Sequence, residues 1–310
     1  MARLRAAFIA GRMPHALLIH EAPGAGGEWL AYWTAQLVLC AHPDRAPCGD
    51  CPACRHLRQR QHPDLIPVAP QGNSTQIRIE QVRELAADLA LTAHQGGYKV
   101  AILSPADGMN RFAANALLKT LEEPPPRTLL ALVASVPSRL PPTVLSRCQR
   151  VRVPAPPRAA AVTWLSATRG TADWDGALAV LGDTPLIAVT LDPAAVVQTA
   201  EQMRRELEQL AGGSGDPAAS AERWARSEPA LRLACFENWL TERLRRRLLG
   251  VGAVMELRAS AHSGDPSLTI RDGFELLDAV RDLRASFDVP INRGVALEAL
   301  LRRLRPDRAA

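Results

Sequence analysis

The sequence predicts an α/β fold in which a parallel sheet with helices on both faces gives way to an all-helical second half. Three observations carry this. Short apolar runs alternate with amphipathic segments of helical period as far as residue 153, which is the pattern of parallel strands joined by helical crossovers. The first run ends in a glycine-rich turn, Pro23-Gly24-Ala25-Gly26, that opens directly into a helix. Beyond Pro154-Ala155-Pro156-Pro157 no strand candidate of weight follows. At 310 residues, two or three domains and a sizeable core are expected.

The elements follow in order. Ala16–His20 is an apolar run and therefore a buried strand. Glu28–Leu39 carries Trp29, Leu30, Trp33 and Leu37 at helical spacing. Asp64–Val68 is a second strand, and Ile79–Leu91 a helix with Val82, Leu85, Ala86 and Leu89 on one stripe. Val100–Leu103 is a third strand, and Asn110–Leu121 a helix stopped by Pro124-Pro125-Pro126. Leu129–Ala134 and Val151–Val153 complete the sheet. Short helical segments fill 158–190 and longer ones follow, with loops at Gly212-Gly213-Ser214-Gly215-Asp216-Pro217 and Ser263-Gly264-Asp265-Pro266. The expected domains are 1–154 with a module inserted at 40–54, then 155–193, then 194–310.

A hydrophobic share of 47% and a charged share of 22% fit an ordinary soluble protein. No apolar run approaches the ~18 residues of a membrane span, and the apolar part of the N-terminus is too short for a secretory signal. The expected compartment is the cytoplasm. The net charge of +5 is almost all arginine, since Lys99 and Lys119 are the only lysines. Its densest cluster, Arg243, Arg245, Arg246 and Arg247, fits a solvated helix face as well as a DNA contact.

Four of the six cysteines, Cys40, Cys48, Cys51 and Cys54, fall within fifteen residues as C-x7-C-x2-C-x2-C. In a cytosolic chain this spacing reads as metal before disulfide. Four soft thiolates favour tetrahedral Zn²⁺ and leave no open position for catalysis, so the site is expected to be structural. A redox pair is the rival reading, as is a site in which His42 or His56 replaces one cysteine. Cys148 and Cys235 sit in apolar surroundings and read as buried small hydrophobes.

The turn at 23–28 resembles a phosphate-binding loop without its chemistry. A working loop, G-x-x-x-x-G-K-[S/T], uses backbone amides, a lysine on the β/γ-phosphates and a hydroxyl on Mg²⁺. Here Gly24 and Gly26 keep the turn, while Gly27 stands at the lysine position and Glu28 at the hydroxyl position. A carboxylate there repels a triphosphate, so no ATP binding is expected. The alternative is a coincidental glycine turn between a strand and a helix.

Two longer segments carry a family resemblance. Asn115-Ala116-Leu117-Leu118-Lys119-Thr120-Leu121-Glu122-Glu123-Pro124-Pro125 and Leu145-Ser146-Arg147-Cys148 resemble the signatures of bacterial clamp-loader subunits, members of the AAA+ class that serve DNA polymerase III. The cysteine module occurs in that family at the same point, and Asn292–Leu301 resembles its last collar helix. The resemblance implies a RecA-like AAA+ domain, a small helical lid and a helical collar for oligomerisation. It implies partners in the other loader subunits (gamma/tau ATPases and delta), and, through the assembly, the sliding clamp and primed DNA.

Within that family the active motors, gamma and tau, keep a complete nucleotide site. The acidic pair after their third strand aligns here with Ser104 and Pro105, the sensor-1 polar residue with Ala134-Ser135, and the sensor-2 arginine with Pro185. The resemblance therefore implies a subunit with no catalytic activity of its own inside a nucleotidyltransferase holoenzyme. It also implies an arginine finger, Arg147, given in trans to a neighbour's ATP site. Taken without the family, Arg147 reads as an ordinary surface or intramolecular ion pair. Lys119, Glu122 and Glu123 read as helix-end packing or ion-pair residues. The rival functions are a gamma/tau-type motor, against which Gly27 and Glu28 argue, and a zinc module binding single-stranded DNA. The latter wants aromatics among basic residues, and none lies between Cys40 and Cys54.

Overall fold

A computed structural model describes residues 1–22, 24–72, 74, 76–94, 97–249, 269–285 and 292–304. Pro23 and the loop at Ser263–Pro266 lie outside them. The chain divides into two compact units, Met1–Pro156 and Pro157–Ala310.

The first unit runs α1 (Ala2–Ile9), β1 (Ala16–Glu21), α2 (Gly27–Leu39), α3 (Pro52–Arg58), β2 (Leu65–Val68), α4 (Ile79–Ala90), β3 (Lys99–Leu103), α5 (Arg111–Glu122), β4 (Thr128–Ala134), α6 (Pro142–Leu145) and β5 (Gln149–Val153). The strands form one sheet in the order β2-β3-β4-β1-β5, all pairs parallel. The inner strands β3 and β4 are buried at every residue, which is why they read as continuous apolar runs. Pro67 lies in β2, at the sheet edge, where a missing ladder donor is tolerated.

Each sheet face has its own core. On one face Leu18, Leu130 and Leu132 pack with Val82, Leu85 and Leu89 of α4 and Leu117 and Leu121 of α5. On the other, Leu17, Ile19, Val100 and Leu129 pack with Ala31, Ala35, Leu37 and Val38 of α2 and with Ala53, Cys54 and Leu57 of α3. The α2 stripe differs from the sequence expectation at Trp29, which is 64% exposed. Ala31 and Ala35 line the side of α2 facing the sheet, and Trp29, about 200° round the helix from Ala31, stands on the far side.

The second unit is helical throughout its described residues: α7 (Arg158–Arg169), α8 (Trp174–Leu181), α9 (Pro185–Ala188), α10 (Pro193–Ala211), α11 (Pro217–Arg226), α12 (Pro229–Leu249), α13 (Ile270–Ala285) and α14 (Arg293–Arg302). A small cluster of Ala161, Leu165, Trp174, Leu178 and Ala188 joins α7 to α9. A larger one gathers Met203, Leu207, Trp224, Phe236, Leu276 and Leu297 from α10 to α14. Trp224 is fully buried, and its indole N–H donates to Glu206 at 2.8 Å, so the polar end of the ring is paired. Glu237 on α12 accepts from Arg281 and Arg284 of α13 at 2.8 Å each. Leu297, Leu300, Leu301 and Leu304 face the core, whereas Val295 is 61% exposed.

Candidate functional site

The four cysteines lie where α2 ends and α3 begins. Cys40 caps the C-terminus of α2, and Cys51 is the N-cap of α3, accepting the Cys54 backbone N–H. Their four sulfurs all lie within 4.8 Å of one another, a group that neither His42 nor His56 joins. A tetrahedral ion with bonds of about 2.3 Å needs sulfurs about 3.8 Å apart, and the Cys48 and Cys54 sulfurs stand 3.9 Å apart. Backbone N–H groups of His42, Cys51 and Cys54 donate to Cys40, Cys48 and Cys51, each at 3.4 Å. Such donors favour the thiolate, the form that binds metal.

Burial pushes the Cys51 thiol up, but hydrogen bonds from the Cys54 and Ala41 backbones and the neighbouring thiols outweigh it and bring it down to about 6. Burial dominates at Cys54, pushed up to about 12. The arrangement can hold one metal ion, and all four positions around it would be filled by protein. Cys148 and Cys235 are buried and apart from this group, and burial pushes each thiol up to about 11, which makes them inert.

At the glycine turn, Gly26 takes φ 101° as the N-cap of α2, a conformation glycine adopts without strain. The exposed backbone N–H groups at such a helix start are where a nucleotide-binding loop places phosphate. Here the carboxylate of Glu21, the last residue of β1, accepts the Gly27 N–H. A Cβ built on Gly27 would fall 2.8 Å from the Glu21 carboxylate. Glu28 turns instead to Arg60 beyond the cysteine module, Nη2 to Oε1 at 3.2 Å, and Arg60 also stacks over Tyr32 at 4.4 Å. The carboxylate at the hydroxyl position thus ties α2 to the module. Sequence reasoning missed Glu21, although a carboxylate six residues before the lysine position was there to be read.

At the end of β3, where an acidic pair would hold Mg²⁺, stand Ser104 and Pro105. Asp107 is nearby, but it accepts the Val136 N–H at 2.7 Å and so braces the loop after β4. In the second unit Pro185 is buried as the first residue of α9, and Asp183 beside it pairs with Arg158 at 2.8 Å.

Arg147 follows α6 just before β5 at the sheet edge. Val144 and Cys148 on either side are buried in the core, and Arg147 itself projects outward with its side chain 36% exposed. Its Nη2 meets Glu122 Oε1 at 2.6 Å, and its Nη1 donates to the Thr143 carbonyl at 3.0 Å and to Ser146 Oγ at 3.4 Å. The structure therefore brings the two signature segments into contact. Lys119 and Glu123, by contrast, form no ion pair among the described residues.

The family model described as DNA polymerase III, delta subunit, matches residues 1–157. A DNA polymerase III subunit delta' of Pseudomonas aeruginosa is 37% identical over 264 residues, covering 82% of this chain and 80% of that protein. The chain belongs to the DNA polymerase III delta' family. The delta' subunit of Escherichia coli K12 is 41% identical over 165 residues, 53% of this chain and 49% of that one. The tau subunit of Escherichia coli K12 is 34% identical over 146 residues, which span 47% of this chain but 22% of tau. Likeness to tau is thus limited to part of each chain, whereas likeness to the first delta' relative runs through most of both. The family match falls on the first unit, with its five-stranded parallel sheet, and no helix among the described residues is long and apolar enough to cross a membrane.

Proposed function

We propose that this delta' family member is a non-hydrolysing stator of a cytoplasmic DNA polymerase III clamp loader. It joins gamma/tau ATPases and delta in loading the sliding clamp onto primed DNA, holds one structural zinc on Cys40, Cys48, Cys51 and Cys54, and lends Arg147 to a neighbour's ATP site. The observation that carries the reading is the Glu21 carboxylate on the Gly27 N–H. The anion position at the start of α2 is filled from within the chain, and a favourable contact of about 0.3–1 kcal/mol with the helix dipole holds it there. A triphosphate would have to displace that carboxylate with no lysine to compensate.

The isolated chain is accordingly expected to show no ATP binding in a calorimetric titration. Gly27→Lys with Glu28→Thr is expected to restore neither hydrolysis nor tight binding, because the new side chain meets Glu21, and Ser104 and Pro105 leave metal and water unheld. Adding Glu21→Ala should permit binding before it permits turnover. Micromolar ATP affinity in the unmodified chain would overturn the non-binding reading.

Residues 194–310 are proposed as the collar that joins ring neighbours. Val295 supports this, being apolar and exposed on a helix whose leucines face inward. Val295→Asp should leave the fold intact and weaken co-elution with the other loader subunits on size exclusion. Unchanged assembly would remove α14 from the proposed interface.

A further inference from the structure

We propose that Glu122 is a positioning residue for Arg147, and that the contact between the two signature segments exists to aim one guanidinium outward. The inference rests on the reading of Arg147 as a finger and goes beyond it, because it assigns a task to a residue of the other segment.

The geometry is specific. A guanidinium carries five N–H donors in a fixed plane. Three are engaged within the chain, one on Glu122, one on the Thr143 carbonyl and one on Ser146 Oγ. The Nε–H and the second Nη2–H meet no acceptor among the described residues and stay available to an anion. Glu122 thus holds one corner of the fork and leaves donors free for phosphate oxygens.

Both ends of the pair stand on rigid supports. Glu122 closes α5, whose N-terminus is capped by Asn110 Oδ1 on the Ala113 N–H and whose Leu117 and Leu121 are buried. His15 Nε2 meets the Leu121 carbonyl at 3.1 Å, fixing the last turn from outside the helix. On the other side Val144 and Cys148 anchor the backbone around Arg147.

Stability does not explain the pair. Its side chains are 36% and 50% exposed, and an ion pair so open to solvent contributes little to stability. What it does restrict is rotation. A free arginine side chain samples many rotamers, and the freedom lost on reaching a phosphate weakens that contact. Holding the fork beforehand removes part of the cost at the moment of reaction.

The test uses a complete loader reconstituted with full-length chains carrying Glu122→Ala, Glu122→Gln, Arg147→Ala or Glu122→Ala with Arg147→Ala, with steady-state ATP turnover in the presence of clamp and primed DNA. Glu122→Ala should slow the site that Arg147 completes by about three- to tenfold, in the range of coupled neighbours. The loss should fall on kcat rather than KM. Glu122→Gln, which keeps an oxygen acceptor, should recover part of it. The double variant should be no slower than Arg147→Ala alone, because an aimed residue that is gone needs no aiming. Melting temperature and assembly should match wild type for Glu122→Gln, so a folding defect in Glu122→Ala would not hide the answer. Wild-type turnover for both Glu122 variants, or a double variant slowed by the product of the two single losses, would overturn the inference. Wild-type turnover for Arg147→Ala would instead overturn the finger reading beneath it.

Discussion

Replacing Cys54 by serine is expected to abolish stoichiometric metal binding and to unfold the segment from Cys40 to Arg60. Apparent binding energies for structural zinc in small peptides are ~10–16 kcal/mol, so one lost ligand exceeds what so short a segment can replace. The effect should not stop at the module. Cys54 is fully buried, and Ala53 and Leu57 of α3 share a core with Leu37 of α2 and Val100 of β3. Unfolding α3 therefore thins the cover on the sheet face that α2 also packs against, and the first unit should melt at a lower temperature. Hydrogen exchange should show lost protection at 40–60 with α4 and α5, on the opposite face, preserved. Binding requires thiolates, so lowering the pH should release the ion as protons compete for the sulfurs. Metal analysis finding less than half an equivalent of zinc in freshly purified wild-type chain, or native disulfides among these cysteines, would contradict the assignment.

Arg147→Ala is expected to leave the fold, the zinc content and the assembly intact, because an exposed ion pair contributes about 0–1 kcal/mol. Its cost should appear only in the loader. In other nucleotide hydrolases a trans arginine contributes about 10³–10⁵ in rate. If one site faces this chain, that site alone should lose the factor, and total turnover should fall by its share. Arg147→Lys should resemble the alanine variant more than wild type. An ammonium keeps the charge but cannot hold Glu122, the Thr143 carbonyl and a phosphate in one plane.

The sheet was legible because its inner strands are buried on both faces, and a doubly buried strand is an unbroken apolar run. The cysteine module was legible because thiolate spacing is itself the geometry of the site. Periodicity served less well for deciding which apolar residue faces inward. Trp29 and Leu37 both fit a helical stripe, yet the buried side of α2 is centred on Ala31, Ala35 and Leu37 and leaves Trp29 on its exposed side. The same limit applies to Val295 beside Leu297. Contacts between distant segments left no local trace. Glu28 stands at the hydroxyl position of the loop motif, where its carboxylate repels a triphosphate, and nothing in that motif points to its partner Arg60 across the module. Glu122 was recognisable as part of a signature, but the 25 residues to Arg147 follow no period, and only the crossing through β4 brings them together. Glu21 was hidden for a different reason. It ends the first strand, and a motif read from the glycines onward does not look back to it.

On the proposed function, this chain completes another subunit's ATP site and has none of its own. ATP turnover by a loader reconstituted with wild-type or Arg147→Ala chain tests it most directly, with clamp and primed DNA present and the mutant chain verified in the purified complex. Reduced turnover and slower clamp loading are expected, with assembly intact and no nucleotide retained by this chain in either complex. Wild-type turnover and wild-type clamp loading with Arg147→Ala in place would contradict it.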